Sequence, residues 1–400
     1  MNINLKSLIA VALLSCFSSL VAATPEENVK EIDSSAPQAT AEDAKVSFWD
    51  MPYLDKAFIA TAPGKRKDDI SVGELGIDGG NKNIIVKMAQ EIADNKDGQY
   101  DSMLISHKNK LVFESYYGRG RIDLPHFQAS VTKAYLSLAI GRAIQLGHLT
   151  MADLNKPIVN FIKELDLEKL AEGTENITLH QAMTMSSGIR VSAERQKLIM
   201  DNITKIKGSN ITQEFLQHSE PISPEYQTFK YQDADPRIVM QVLNSVVPGS
   251  AKDFIKNEVL AKIGITVYGW KDDVNGIPIA EVGSSLTSRD MLKVATLVKN
   301  NGKWQGEQII SAAYLAAATN KITKPTEDWI PDSFSYGYYW YQTDFKVADK
   351  SYDAKFAWGG GEQYILTFEE LDLAVVFTAH AMENNAMQLT AERLLPAFIQ

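Results

Sequence analysis

Two apolar runs, Met103-Leu104-Ile105 and Leu111-Val112-Phe113, flank the polar stretch His107-Lys108-Asn109-Lys110, a pattern that predicts two adjacent antiparallel strands. From Ser130 to about Ile263 the spacing turns helical: Val131, Ala134, Tyr135, Leu138 and Ala139 form one stripe, and Gly147 offers a stop. A capping box, Thr287-Ser288-Arg289-Asp290, predicts a helix from Met291 to Lys299 that ends at Asn300-Asn301-Gly302. Strand character returns in Tyr364-Ile365-Leu366-Thr367-Phe368 and Leu373-Ala374-Val375-Val376-Phe377, joined by Glu369-Glu370-Leu371-Asp372. A last helix is expected from about Ala386 to Leu395, stopping before Pro396. Strands early and late with helices between them predict an α/β lobe built from residues 46–128 and 281–400, with a mainly helical lobe, 129–280, inserted. A cleft between two such lobes is a favoured place for a ligand.

The ends of the chain add a destination. Lys6, the apolar stretch Ser7–Val21 and the small residues Val21-Ala22-Ala23 read as a bacterial, Sec-type signal peptide over residues 1–23, which implies a secreted or periplasmic protein with no transmembrane span after cleavage. Residues 24–45 are acidic and aperiodic and are expected to be a flexible tether to a folded body spanning 46–400. Cys16, the only cysteine, lies inside the signal, so the processed chain has neither a disulfide nor a thiol nucleophile. Lipidation at Cys16 is disfavoured because the apolar run continues past it.

A formal charge of −10, with no basic patch, argues against nucleic acid as a partner. The six histidines are scattered without metal-ligand spacing, so no metal or other cofactor is expected, and His148 and His180 are expected to be surface or capping residues.

Candidate chemistry begins at Ser130-Val131-Thr132-Lys133. Residues three apart on a helix share a face, so the Lys133 amine can reach the Ser130 hydroxyl, and a neutral lysine there takes the serine proton. No Gly-x-Ser-x-Gly occurs, which disfavours a Ser-His-Asp hydrolase of the α/β type.

Further stretches, in chain order, resemble the serine β-lactamase and penicillin-binding-protein-like hydrolases, the group that includes class C β-lactamases, DD-peptidases, related carboxylesterases and 6-aminohexanoate-dimer hydrolase. Leu111–Gly118 resembles the strand leading to the nucleophile, and Ile177–Gly188, ending in Ser186-Ser187-Gly188, resembles a structural stretch that holds a loop in shape. The resemblance implies that Tyr231, in Tyr231-Gln232-Asp233, shuttles a proton between Ser130 and the leaving group. Asp233 stands where the family carries an amide or hydroxyl, and a carboxylate beside Lys133 is expected to weaken the lysine as a base. The family's Lys-Thr-Gly is absent. Trp358-Gly359-Gly360-Gly361 takes its place, similar to the glycine-rich edge of the esterase and amidase branches, and the Gly360 N–H is expected to join that of Ser130 as an oxyanion hole. Trp358 and the tyrosines near 336–341 are candidates for an apolar wall, with Gly359 and Gly361 also against substrate, although aromatics at that density are more often core.

The resemblance implies a β-lactamase/transpeptidase-like fold and a small ester, amide or peptide-like substrate. The leading expectation is a hydrolase working through an acyl-enzyme on Ser130. A β-lactamase or DD-peptidase is the rival within enzymes, and a weakly catalytic binding or sensor module is the rival outside them.

Overall fold

The computed structural model describes residues 36–206, 210–381 and 384–399; the expected signal peptide, Cys16 and most of the tether lie outside them. An eight-stranded antiparallel sheet forms the centre. Its strands are β1 (Phe58–Ala60), β2 (Tyr100–His107), β3 (Lys110–Tyr116), β4 (Ser335–Tyr336), β5 (Tyr341–Val347), β6 (Lys350–Gly359), β7 (Gln363–Phe368) and β8 (Leu373–Ala379). They run in the order β1-β3-β2-β8-β7-β6-β5-β4, so the late strands join the early ones through the β8–β2 pair.

The expected hairpin is β2–β3. Its turn residues Lys108 and Asn109 have φ of 50° and 60°, the left-handed pair that matches the twist of two hairpin strands. Strands β2 and β8 are buried along their whole length, because both faces of the sheet are covered. On one face Ser102, hydrogen-bonded to Thr378, meets Ser288 at 2.6 Å, at the start of the helix Ser288–Lys299. On the alternate face the His107 ring lies 5.3 Å from that of Phe398 in the C-terminal helical segment.

We label the helices used below α1 (Val131–Gln145), α2 (Ala234–Val246) and α3 (Ser288–Lys299). Helix α1 is apolar on nearly all sides, and every residue from Val131 to Ala143 is buried, which is the mark of a central helix. It packs against β6 and β7 on one side and against α2 on the other, so it is the element shared by the sheet and the helical middle of the chain. The observed architecture is the expected antiparallel sheet flanked by helices, with a mainly helical middle.

Three local expectations need correction. The Thr287 cap accepts from the Asp290 N–H and starts α3 at Ser288, three residues earlier than expected. The last helix does not stop before Pro396: it passes through a π turn, Thr390–Leu394, and continues to Phe398, with Pro396 directly after that turn as the second residue of the final segment. The end of the expected tether is packed on the body. Asp43 is buried against Arg121, the Ile122 N–H donates to Pro37 O, and the Ala39 N–H donates to Asp123 Oδ1 at 2.8 Å. A buried arginine needs an anion, and Asp43 supplies it. Among the described residues no helix is long and apolar enough to cross a membrane.

Candidate active site

Ser130 stands at the N-terminal end of α1, directly after Ala129, whose φ of 45° is a left-handed turn rarely adopted by a residue with a side chain. Strain of this kind persists only where the surroundings hold it. Here Thr132 Oγ1 donates to Ala129 O at 2.7 Å, and the Gln128 N–H donates to Ser284 O at 3.0 Å. The turn leaves Ser130 partly exposed while Lys133, one turn further on, is 2 % exposed. Lys133 Nζ lies 3.0 Å from Ser130 Oγ and 2.9 Å from the Glu281 carbonyl oxygen. Serine and lysine are therefore in direct hydrogen-bond contact, with the amine held from behind by a main-chain acceptor.

Tyr231 also reaches Lys133, but with its ring: Nζ sits 4.9 Å from the ring centroid. The Tyr231 N–H donates to Glu327 Oε1 at 3.0 Å, and the ring meets that of Trp329 edge-on at 5.2 Å. Its hydroxyl makes no hydrogen bond to Ser130 or Lys133.

Asp233 is exposed at the N-cap of α2 and makes no capping bond. The acidic residue set against the lysine is Glu281, which sequence reasoning missed. Its side chain is buried, paired with Arg237 of α2, and its Oε2 has no hydrogen-bond partner. Burial raises the Glu281 carboxyl above its ordinary range and the exposed Asp233 charge adds to that, against the pull of Arg237 and Lys133. One signal for Glu281 was available: a lone acid in the otherwise apolar run Ile279-Ala280-Glu281-Val282.

The glycine-rich edge lies where the sequence suggested. Gly359 ends β6 against the nucleophile turn: a Cβ there would collide with the Gln128 carbonyl and approach Ser130 N to 3.2 Å. Only glycine lets the two backbones come this close. A Cβ on Gly360 would meet nothing, so that residue faces open space, and Gly361 turns the chain back with φ of 82°.

Trp358 is half-buried beside Trp329, whose ring lies 5.5 Å away, and it stacks on Tyr364. Of the two readings of the aromatics near 336–341, core is the one found: Tyr336, Tyr338, Tyr339 and Trp340 are all buried. Tyr338 and Tyr339 brace the Ile177–Gly188 stretch, through a 2.8 Å contact with His180 Nδ1 and a hydrogen bond to Ala182 O. His180 is thus half-buried, with burial lowering its pKa, and is neither a surface nor a capping residue. Two more acids adjoin the site: desolvation pushes Asp235, buried beside Gln232, and Glu362, half-buried next to Gly361, up to about 7 each. No cluster of potential metal ligands occurs among the described residues.

The geometry suits acyl transfer: a serine, a lysine within hydrogen-bond distance of it, and a second backbone closely apposed to the serine turn. Among solved structures, the chain superposes on a penicillin-binding protein homologue from Caulobacter crescentus with a TM-score of 0.62 and 12% identity, over 80% of this chain and 99% of that one. A family VIII carboxylesterase follows with a TM-score of 0.58 and 16% identity over 78% and 94%. A class C β-lactamase gives 0.59 and 13% over 80% and 96%. At such identities the likeness is one of fold. No curated protein matches the chain. The family model described as Beta-lactamase matches residues 88–397, from just before the first long strand to the last helix, and the chain belongs to that family.

Proposed function

We propose that this chain is a secreted serine hydrolase that cleaves small ester or amide bonds through an acyl-enzyme on Ser130. The observation that carries the reading is the 3.0 Å contact between Ser130 Oγ and the buried Lys133 Nζ. In this scheme neutral Lys133 takes the hydroxyl proton as Ser130 Oγ attacks the carbonyl carbon. The Ser130 and Gly360 N–H groups stabilise the oxyanion. The proton then passes to the leaving alcohol or amine, with Tyr231 as the relay once substrate draws its hydroxyl inward, and water releases the acid.

Trp358, where β-lactamases and DD-peptidases of the resembling group carry the lysine of Lys-Thr-Gly, favours neutral substrates. A half-buried indole offers no cation to a substrate carboxylate. The family VIII carboxylesterase among the structural neighbours is in keeping with that choice. The signal-like residues 1–23 support a reaction outside the cytoplasm.

A substrate panel tests the reading. The mature chain is expected to turn over short-chain p-nitrophenyl esters or anilides, with nitrocefin and D-Ala-D-Ala peptides at least about 10²-fold poorer in kcat/KM, the loss that removing a charge-assisted contact commonly brings. Nitrocefin or the peptide as the best substrate would replace this reading with the β-lactamase or DD-peptidase one. Inertness towards every member would favour a binding module.

A further inference from the structure

Lys133 is buried, and a buried lysine beside a lone carboxylate keeps its proton. The groups that face it can be named element by element. Ser130 comes from its own helix, Glu281 from the segment behind it, and Tyr231 with its ring, backed by Glu327 on its amide, while Arg237 and the exposed Asp233 of α2 bear on Glu281. Glu281 supplies two things to this cluster. Its carbonyl fixes Nζ at 2.9 Å, while its carboxylate is engaged by Arg237 through one oxygen and leaves the other, Oε2, buried and unpartnered. A buried carboxylate oxygen without a protein partner is costly, and proteins keep such groups where function requires them. Besides Arg237, the cation whose charge bears on this carboxyl is Lys133.

We infer that Glu281 and Arg237 are positioning residues that govern the charge of Lys133: Arg237 engages the Glu281 carboxylate so that Lys133 faces a neutral pair and is free to accept the Ser130 proton. This rests on the reading of Ser130 as nucleophile and Lys133 as base. Two opposite consequences follow. With Arg237 gone, the bare Glu281 carboxylate holds a proton on Lys133, and Ser130 becomes reactive only at higher pH. With the Glu281 charge gone, Arg237 stands as an unpaired cation near Lys133, and Ser130 becomes reactive at lower pH. Glu281→Gln keeps the main-chain carbonyl on Nζ, so it changes the charge and not the tether.

The test is the pH dependence of the rate at which a fluorophosphonate labels Ser130, followed by intact mass, because labelling needs no knowledge of the natural substrate. In Arg237→Met the acid limb is expected to move up by about one pH unit, and in Glu281→Gln down by about one, the size of effect a charge at this range produces. The double variant Glu281→Gln/Arg237→Met exchanges one neutral pair for another and is expected to return the limb to its wild-type position. It also decides the matter against Arg237→Met alone if Glu281→Gln does not fold. Limbs that stay in place in all folded variants, or single variants that move in the same direction, overturn the inference while leaving Ser130 as nucleophile. A wild-type protein that is not labelled at Ser130 overturns the underlying reading itself.

Discussion

Two arginine–glutamate pairs, Arg289 with Glu114 and Arg237 with Glu281, show what distinguishes a structural ion pair from one at a candidate working site. Arg289, at the start of α3, meets Glu114 of β3 through Nε and Nη2 at 2.8 and 2.7 Å, Asp68 through Nη1 at 2.8 Å, and Gly64 O through Nη2 at 2.9 Å. Tyr116 adds a 2.7 Å hydrogen bond to Glu114, so both carboxylate oxygens are satisfied. Arg237 is only half-buried and engages one oxygen of the buried Glu281, whose Oε2 has no hydrogen-bond partner, while the Glu281 main-chain carbonyl holds Lys133. A saturated network has one arrangement and one charge state, whereas a half-saturated one can change its charge at modest cost. The first clamps residues 64–68, β3 and α3 together; the second is set to respond to chemistry.

The largest effect that would sharpen this contrast is on stability. Removing one partner from the saturated pair, as in Glu114→Ala, is expected to cost about 3–5 kcal/mol, read by denaturant unfolding, because Arg289 is left buried and uncompensated. The acid limb of Ser130 labelling should not move. A loss below about 1 kcal/mol would place the pair among those that contribute little.

The same contrast predicts opposite pH windows for two buried aspartates. Burial holds Asp235 up at about 7, so its contribution to stability is complete below the unfolded value near 3.8 and is lost as pH rises through 7. For Asp101 burial also opposes the charge, yet hydrogen bonds from His126 and His380, at 3.0 and 2.8 Å, overcome it and lower the carboxyl to about 2. Its contribution is present above the unfolded value and is lost as pH falls from about 4 towards 2. Asp235→Asn should therefore flatten the decline of stability between about pH 4 and 7 by up to about 4 kcal/mol, the free energy of a shift of this size. Asp101→Asn should leave that range alone and remove stability that wild type loses only in acid. Melting curves across pH decide it, and an unchanged alkaline decline in Asp235→Asn would contradict the assignment.

At the site itself, Gly359→Ala is expected to lower ester turnover by about 10²-fold, since a displacement on the ångström scale at a nucleophile costs about that much. Gly360→Ala, facing open space, should cost less than Gly359→Ala. Equal effects would mean that the contact between Gly359 and the Ser130 turn does not position the serine. The smallest change expected is Thr287→Ala, which removes the α3 cap for about 1 kcal/mol of stability without altering the labelling profile.

Much of this molecule was legible because local chemistry and global position agree. The β2–β3 turn, Gly147, the Thr287 cap and the late strands carry their own signals, and Ser130 with Lys133 needs only helical spacing to meet. Gly359 was legible as a close backbone approach but was expected against substrate; nothing local indicated that Gln128 O, in the nucleophile turn, is the atom it must admit. What the sequence hid depends on contacts between distant segments. Glu281 reaches Lys133 from 148 positions away, in a segment without periodicity, so its carbonyl and carboxylate cannot be read as part of the site. Asp233 drew attention because it sits two residues from Tyr231, yet the N-cap position turns it outward and leaves the charge at the lysine to its neighbours. The tyrosines of 336–340 look like a wall in one dimension and are core in three. The docking of residues 36–45 depends on Arg121 needing an anion, and a charged stretch with no apolar pattern does not announce such a partner.

The central claim is that Ser130 is the nucleophile and Lys133 the group that makes it one. Intact-mass analysis of the mature chain treated with a fluorophosphonate, with peptide mapping of the adduct, tests it most directly. The account predicts a single adduct on Ser130, absent in Ser130→Ala and formed at least about 10²-fold more slowly in Lys133→Ala, a general base being worth that much. An adduct on another serine, or labelling of Ser130 at an undiminished rate without Lys133, would contradict it.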